Sequence, residues 1–505
     1  MNLMPSLLPK KQFDLDLWLC AALMFVQPLT NVAIKYGSLR FDLARFILLL
    51  CLARLGYMLL FPGVFKKVAA GPVFKKNMLM FGLVAYTVCM TILQPAFTSD
   101  LGFVSVAKIN TFIINRGSKY LSYLALSIYV AIVLREPRKI YIGICALAAG
   151  LSLLEVLGLL QSVTFTISGI DLFPIKRFAE VNGVTQVRDL SVPVNVLGLR
   201  MLRINSLAHE PKGLALFMVF LFALKLYWAS CRKLLQFHTF KWLDSYMIKT
   251  LWLTIAVIFM TFSGGGIVAL AAVVVLAFLF ELRNHKGIIK FRSSFLKSLI
   301  LPLLILLPFI LIYLIYSNGL LDILNSVLGN SLFRRTGALE TSQSLDALYI
   351  TLDPEDGALL YNFVNYPKVL LHGLGFGGFS SLSMDFFIRY FSHFSDSPFS
   401  RNIVIEIVFS TGIIGLIGTL LFFYSINFQY FKGKSMLSPL YPFLNIVIIV
   451  NVLVRSSESL FFVILGLLVG VSLCDRYLLS YAKAVSTQSF LQSKLSPRVS
   501  VIPSR

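Results

Sequence analysis

Residues 140–162 read IYIGICALAAGLSLLEVLGLLQS and contain a single charged residue, Glu155. A run this long and this apolar is typical of a helix that crosses a bilayer, which takes about 20 residues. Arg135, Arg138 and Lys139 stand immediately before it. Because basic residues gather on the cytoplasmic side of membrane helices, this flank predicts that the run begins in the cytoplasm.

The composition of the whole chain repeats that of this stretch. Of 505 residues, 57% are hydrophobic and 13% are charged, and the mean hydropathy is +0.82. A water-soluble protein with so few charges would expose large apolar patches and aggregate, so lipid is the solvent that fits. Backbone groups inside a bilayer must bond within their own segment. The composition therefore predicts an all-α polytopic membrane protein.

Apolar runs divide the chain into about 12 predicted transmembrane helices. They lie at residues 15–34, 41–61, 77–95, 120–134, 140–162, 210–230, 247–263, 266–282, 298–317, 403–428, 440–454 and 459–475. Residues 101–119 are also fairly apolar, but they carry Lys108, Arg116 and Lys119. Counting this segment as a span would place the basic cluster at 135–139 outside, so we expect an external interfacial or re-entrant segment.

The net charge of +22 is distributed unevenly between the two sides of the membrane, because Lys and Arg cluster in every second connection between predicted spans. With Lys10 and Lys11 inside, twelve spans place both termini in the cytoplasm. The charge is thus explained by orientation in the bacterial inner membrane, and no basic domain outside the spans suggests nucleic-acid binding.

This threading divides the chain into six predicted segments. They are transmembrane helices 1–5 (1–162), a first long external loop (163–209), helices 6–9 (210–317), a large external loop (318–402), helices 10–12 (403–475) and a cytoplasmic tail (476–505). None of the six cysteines falls in an external loop, and no Cys/His spacing fits a metal site. We therefore expect neither a disulfide framework, nor a metal site, nor a cofactor.

The densest polar group lies where the first long loop meets the sixth predicted helix. Residues 199–213 read LRMLRINSLAHEPKG and contain Arg203, His209 and Glu210. Pro211 suits the first turn of a helix, where a carboxylate is favoured by the helix dipole, so capping is one interpretation of Glu210. The functional interpretation is that Arg203 binds an anion while Glu210 or His209 handles a proton.

Two further segments carry candidate residues. Residues 262–266 read FSGGG and predict a tight external turn, either a plain hairpin or one whose glycines admit a phosphate. The large external loop contains Arg334, Arg335, His393 and Arg401, and guanidinium groups hold pyrophosphate well. It also contains HGLGFGG at 372–378, which matches GxGxxG without a surrounding βαβ unit. We expect that glycine run to re-enter the membrane or to pack tightly against a helix.

Three stretches, in order, resemble the O-antigen ligase/polymerase superfamily of Wzy-type polysaccharide polymerases and WaaL-type ligases. They are RINSLAHEP at 203–211, LHGLGFGGF at 371–379 and RNIVIEIVFSTGIIGL at 401–416. The resemblance covers roughly residues 195–475. Two departures, Gly264 where the family often has arginine and Arg401 where the ligases have histidine, favour a polymerase over a ligase.

The resemblance implies a metal-independent glycosyltransferase that joins polyprenyl-pyrophosphate-linked oligosaccharides on the periplasmic or extracellular face. A chain-length regulator protein would be a partner. The diphosphate leaving group would bind Arg203, Arg334, Arg335, Arg401 and His209, and the base would be Glu210, with His393 second. Two alternatives stay open: a ligase that moves finished polymer onto lipid A core, and a transporter or flippase of lipid-linked glycan.

Overall fold

The structure of this chain is a computed structural model. It describes residues 14–29, 32–36, 39–61, 71–98, 106–174, 176–181, 184–189, 193–196, 199–208, 210–235, 241–284, 346, 349, 354–390, 403–454 and 458–495.

The described part of the chain is predominantly helical, as the composition predicts. Its helices are α1 (Leu15–Val26), α2 (Leu43–Leu60), α3 (Gly71–Lys76), α4 (Met78–Thr98), α5 (Val106–Val133), α6 (Pro137–Ser168), α7 (Pro211–Leu235), α8 (Lys241–Lys249), α9 (Leu251–Met260), α10 (Gly264–Asn284), α11 (Pro354–Asn365), α12 (Val369–His372), α13 (Gly378–Tyr390), α14 (Ile403–Phe431), α15 (Leu440–Val454) and α16 (Glu458–Leu495). A helix overlaps every predicted span except 298–317, which lies outside the described residues.

Five of these helices are long and apolar enough to cross a membrane: α2, α6, α7, α14 and α16. The pair α8 and α9 passes the same test as one bent unit, with 63° between its halves. Four more helices, α1, α4, α10 and α15, contain shorter apolar stretches. The chain therefore has the helices of a multi-pass membrane protein.

The outer surface of α14 shows the apolar character that lipid contact requires. Five large aliphatic side chains on this helix are between 49% and 61% exposed: Ile413, Ile414, Ile417, Leu420 and Leu421. In water such a contiguous stripe would be an aggregation surface, whereas in a bilayer it is solvated by acyl chains.

Two predicted boundaries differ from the structure. The first helix ends at Val26, before Gln27 and Pro28, and not at residue 34. Residues 106–119, expected to form a separate interfacial segment, are the first half of α5. No proline interrupts this stretch, so the helix runs continuously through the charged positions into its apolar half.

Short antiparallel hairpins occupy the connections between helices. The strands are β1 (Ala33–Tyr36) with β2 (Leu39–Asp42), β3 (Lys176–Val181) with β4 (Val184–Asp189), and β5 (Pro193–Val196) with β6 (Leu199–Leu202). In the last hairpin Pro193 pairs with Leu202 and Val196 pairs with Leu199. Two of the three hairpins therefore lie in the predicted first long loop, between α6 and α7.

The main core is formed by helices that approach each other through small residues. Gly466 and Gly470 of α16 form a GxxxG pattern, and a Cβ at either position would lie 2.4 Å from the Ser127 carbonyl oxygen or 2.2 Å from that of Leu134. Helices in lipid gain stability from such close packing, because lipid tails are as apolar as the side chains. A second, smaller core forms between α11, α13 and α14 around Phe386 and Phe409.

Opposite charges inside the bundle pair with each other. Arg54 of α2 donates to Asp16 of α1 through Nε at 2.7 Å. Glu155 of α6 pairs with Lys225 of α7, and neither side chain is exposed. An unpaired charge inside a membrane is energetically unfavourable, so buried charged side chains there usually form pairs.

Candidate functional site

The connection from β6 to α7 contains both described candidate residues, Arg203 and Glu210, and its residues 203–208 are here called the arginine loop. Its backbone is fixed from two sides. The Ile204 amide donates to the carbonyl of Met260 at the end of α9, and the Ser206 hydroxyl donates to the carbonyl of Leu154 in α6. Ser206 has a positive φ of 51°, which turns the chain sharply at this point.

One side chain, Gln161 of α6, satisfies most of the polar groups of this turn. Its Oε1 accepts from the amides of Asn205 at 3.1 Å and Ser206 at 2.8 Å. Its Nε2 donates to Asn205 Oδ1 at 3.0 Å and to Asp171 Oδ1 at 2.6 Å. Because buried amides need partners, Gln161 determines the shape of the arginine loop.

Arg203 lies half-buried between the loop and the end of α9. Its Nε donates to the Thr261 carbonyl oxygen at 3.0 Å, a carbonyl at the negative end of the helix. Within the described residues, its two terminal amino groups donate no hydrogen bond. Burial lowers the pKa of the Arg203 guanidinium, while the nearby Glu210 carboxylate acts in the opposite direction. Arg203 thus presents a cation whose terminal donors have no partner among the residues that the structure describes.

Glu210 stands one residue before α7. Its carbonyl accepts from the Leu214 amide, so its backbone begins the helix. Among the described residues its carboxylate makes no capping hydrogen bond and no ion pair within 4.0 Å, although it attracts Arg203. The position of Glu210 directly before α7 agrees with stabilisation by the helix dipole, without a capping hydrogen bond among the described residues. The Glu210 carboxylate lies near enough to Arg203 to attract it, but among the described residues the two groups form no direct ion pair.

The FSGGG segment forms a tight turn between α9 and α10, as expected, but its glycines lie in the helix. The positive φ falls on Phe262, at 47°, whereas the glycines begin α10. A Cβ on Gly266 would lie 2.5 Å from the Cβ of Ala215, so this glycine allows α10 to approach α7. The turn brings Thr261 to Arg203, and its glycines serve helix packing.

The glycine run at 372–378 packs tightly against helices, as predicted. Gly373, Gly375 and Gly377 have φ values of 74°, 80° and 76°, which other residues rarely adopt. A Cβ on Gly375 would lie 2.3 Å from the Thr91 amide nitrogen of α4. The Phe376 amide donates to Thr91 Oγ1 at 2.8 Å. In the described part of the chain no βαβ unit surrounds the segment.

The same segment repairs a break in α14. Gly412 has a φ of 63° and a ψ of −162°, which interrupts the helix. The carbonyls of Phe409 and Ser410 at the break accept instead from the amides of Leu374 and Gly375, each at 2.8 Å. Broken helices persist in membranes only where freed backbone groups find such partners.

Among the predicted site residues, the structure brings Arg203 and Glu210 together. The others lie outside the described residues: His209, Arg334, Arg335, His393 and Arg401. The described part of the chain contains no group of three or more His, Cys, Asp or Glu residues able to hold a metal ion.

Sequence reasoning missed Gln161, Asn205, Thr261 and Lys225. Gln161 and Lys225 are polar residues in otherwise apolar runs, and that interruption is the signal that could have identified them. Asn205 and Thr261 contribute through hydrogen bonds with residues that are distant in the sequence, Gln161 and Arg203, and the sequence does not show these contacts.

No protein-family profile, curated protein or solved structure matches this chain in comparisons with known proteins.

Proposed function

We propose that this protein is a polysaccharide polymerase of the bacterial inner membrane. It would join repeat units carried on polyprenyl pyrophosphate at the periplasmic or extracellular face, with twelve spans and both termini in the cytoplasm. Reporter fusions test the orientation: green fluorescent protein after Arg505 should fluoresce, and alkaline phosphatase after Glu340 should be active.

The observation that carries the proposal is the arrangement of Arg203 and Glu210 at the start of α7. The half-buried Arg203 guanidinium is attracted by the Glu210 carboxylate, and among the described residues the two form no ion pair and the terminal amino groups of Arg203 donate no hydrogen bond. Guanidinium groups bind phosphate oxygens through paired hydrogen bonds. A carboxylate within hydrogen-bonding distance of a hydroxyl group can accept the proton of that hydroxyl.

The chemistry follows from these two groups. An acceptor hydroxyl oxygen attacks the anomeric carbon of the donor sugar, and its proton passes to Glu210. The bond between that carbon and the phosphate oxygen breaks, and the diphosphate leaves with the electron pair. Arg203 stabilises the leaving group's charge in a poorly hydrated site, where such stabilisation is most effective. We propose that Arg334, Arg335, Arg401 and His209 bind the same diphosphate, with His393 as the alternative base.

A ligase that transfers finished polymer to lipid A core would use the same chemistry on another acceptor. A transporter of lipid-linked glycan is the alternative from a different class. The bend of 63° between α8 and α9, beside the buried Glu155–Lys225 pair, is a feature that transporters share. The experiment below separates the three.

Surface polysaccharide from a deletion strain is resolved on a gel after complementation with wild type, Arg203→Ala, Arg203→Lys or Glu210→Gln. A polymerase predicts a single repeat unit in the deletion strain, and no ladder from any of the three variants. The lysine variant keeps the charge but loses the paired donors. Arg45→Ala and Glu136→Gln are matched controls, since their side chains are 84% and 53% exposed, and both should restore the ladder.

Long polymer that accumulates on the lipid carrier would indicate the ligase. Repeat units that never reach the outer face would indicate the transporter. A deletion strain with an unchanged ladder and a normal carrier pool would refute all three proposals.

A further inference from the structure

The bundle contains a buried polar cluster that the proposed chemistry does not use. Lys225 Nζ donates to Glu155 Oε1 at 3.0 Å and Oε2 at 2.8 Å, and both side chains are fully buried. The same ammonium group contacts the Thr250 carbonyl at 3.0 Å, and the hydroxyls of Thr250 and Thr254 at 2.8 Å each. Tyr246 donates to Glu155 as well. Five oxygens thus share three ammonium hydrogens.

This cluster lies at the break between α8 and α9. Thr250 is the residue between the two helices, whose axes differ by 63°. Its carbonyl bonds to Lys225, and the Thr254 hydroxyl in the first turn of α9 donates to Glu155. The ion pair therefore links α6 and α7 to the start of α9 by polar contacts that have a defined geometry.

Two of these helices, α6 and α9, also contact the arginine loop. Gln161, six positions after Glu155 in α6, accepts from the loop amides of Asn205 and Ser206. Thr261, seven positions after Thr254, accepts from Arg203 at the far end of α9. At ~1.5 Å per residue, each contact with the loop lies roughly 9–11 Å from the ion pair along its helix. The arginine loop therefore forms hydrogen bonds with both α6 and α9, and the ion pair connects the same two helices to each other.

A buried ion pair of this kind contributes little net stability to a protein. Removing two charges from water costs several kcal/mol per ion, and replacing a buried pair with apolar residues is often neutral or stabilising. A cluster with defined angles can instead select one arrangement of the helices around it.

We propose that the Glu155–Lys225 pair is a positioning element that keeps α6 and α9 in the register required to hold Arg203 opposite Glu210. The effect of the pair on catalysis rests on the proposed function. Its effect on the positions of α6 and α9 does not. Glu155 and Lys225 do not touch the substrate; they act through Gln161 and Thr261.

The test compares Lys225→Met, the double variant Glu155→Leu/Lys225→Met, and the milder Thr254→Val. The single variant should lower the unfolding temperature, because it leaves Glu155 buried without its cation. The double variant should recover that temperature. Thr254→Val removes one link between α9 and the ion pair and should keep the protein folded. The matched control is Asn427→Leu/Asn445→Leu, which removes a reciprocal buried amide pair between α14 and α15.

The decisive measurement is amide hydrogen exchange in residues 203–208 of the purified chain. In the double variant and in Thr254→Val, the amides of Ile204, Asn205 and Ser206 should exchange roughly fivefold faster, the factor for one ordinary hydrogen bond. Exchange in α15 and α16 should stay as in wild type. The control should leave the arginine loop unchanged.

The proposal is overturned if the double variant and Thr254→Val both exchange in the arginine loop at the wild-type rate. It is also overturned if exchange rises equally in α15 and α16, because the pair would then be a general stabiliser. Polysaccharide ladders are a separate readout: faster loop exchange with a lost ladder supports positioning for polymerisation. Faster loop exchange in a protein whose deletion leaves the ladder intact would support the positioning role and refute the proposed function.

Discussion

Replacement of Gly375 by alanine should destabilise the contact between the glycine run and the helices around it. The new Cβ would lie 2.3 Å from both the amide nitrogen and Oγ1 of Thr91, a separation that real Cβ atoms do not show. The φ of 80° at this position also disfavours any side chain. The backbone of the run must therefore move away from α4.

The magnitude follows from the contacts that this movement breaks. The left-handed conformation costs an alanine about 1–2 kcal/mol. The two hydrogen bonds from Gly375 to Ser410 and from Phe376 to Thr91 contribute ~0.5–1.5 kcal/mol each. We expect a loss of about 2–5 kcal/mol, with the break in α14 left partly unsatisfied.

A thiol-reactive fluorogenic dye measures the unfolding temperature of the purified protein in detergent. It suits this chain because five free cysteines are buried and react only on unfolding: Cys20, Cys51, Cys145, Cys231 and Cys474. Cys89 is exposed and supplies a constant background. The apparent unfolding temperature should fall by several degrees in Gly375→Ala.

Gly82→Ala is the matched control in the same region of the fold. Gly82 lies in α4 like Thr91, has no neighbour within 4 Å of a new Cβ, and does not have a positive φ. Alanine there should change stability by no more than about 1 kcal/mol, in the favourable direction. Equal unfolding temperatures for Gly375→Ala and Gly82→Ala would show that the glycine run does not depend on close backbone approach.

Three further predictions concern polar contacts. Gln161→Leu removes the acceptor of two buried amides, so unfolding should become easier by about 2–4 kcal/mol and hydrogen exchange should rise in the arginine loop; unchanged exchange would contradict the structure. Asn427→Leu alone strands its partner Asn445 and should lower the unfolding temperature, whereas replacing both with leucine should largely restore it. Asp385→Ala removes the acceptor of two tyrosine hydroxyls and of Arg389, so it should destabilise the α11–α13 unit more than Arg389→Gln, because the Arg389 side chain is 62% exposed. Limited proteolysis of the purified protein would show the order.

The course of the chain through its helices could be predicted from local composition. Residues 137–168 form a helix because an apolar run preceded by Pro137 has no better conformation in lipid. Close packing of the glycine run against a helix was one of two predicted outcomes, the other being re-entry into the membrane, because no βαβ unit surrounds the run in the sequence. Boundaries were less accurate, as α5 shows by beginning at Val106.

The candidate site was only half predictable. Arg203 and Glu210 are seven residues apart in one polar stretch, so their proximity was a reasonable expectation. The contacts that hold them were not, since Gln161 is 44 residues from Asn205 and Thr261 is 58 residues from Arg203. Nothing local distinguishes these partners from other polar residues.

The helical conformation of the chain and its suitability for lipid follow from local composition, because burial of apolar side chains and the need to satisfy backbone groups act residue by residue. The pairing of charges, in contrast, depends on the tertiary structure. Lys225 pairs with Glu155, and the carbonyls freed at Gly412 meet the amides of the glycine run, because those contacts depend on how separate helices lie against each other. Pairing in space has no local signature, since the same side chain can be satisfied by any partner that packing brings within reach.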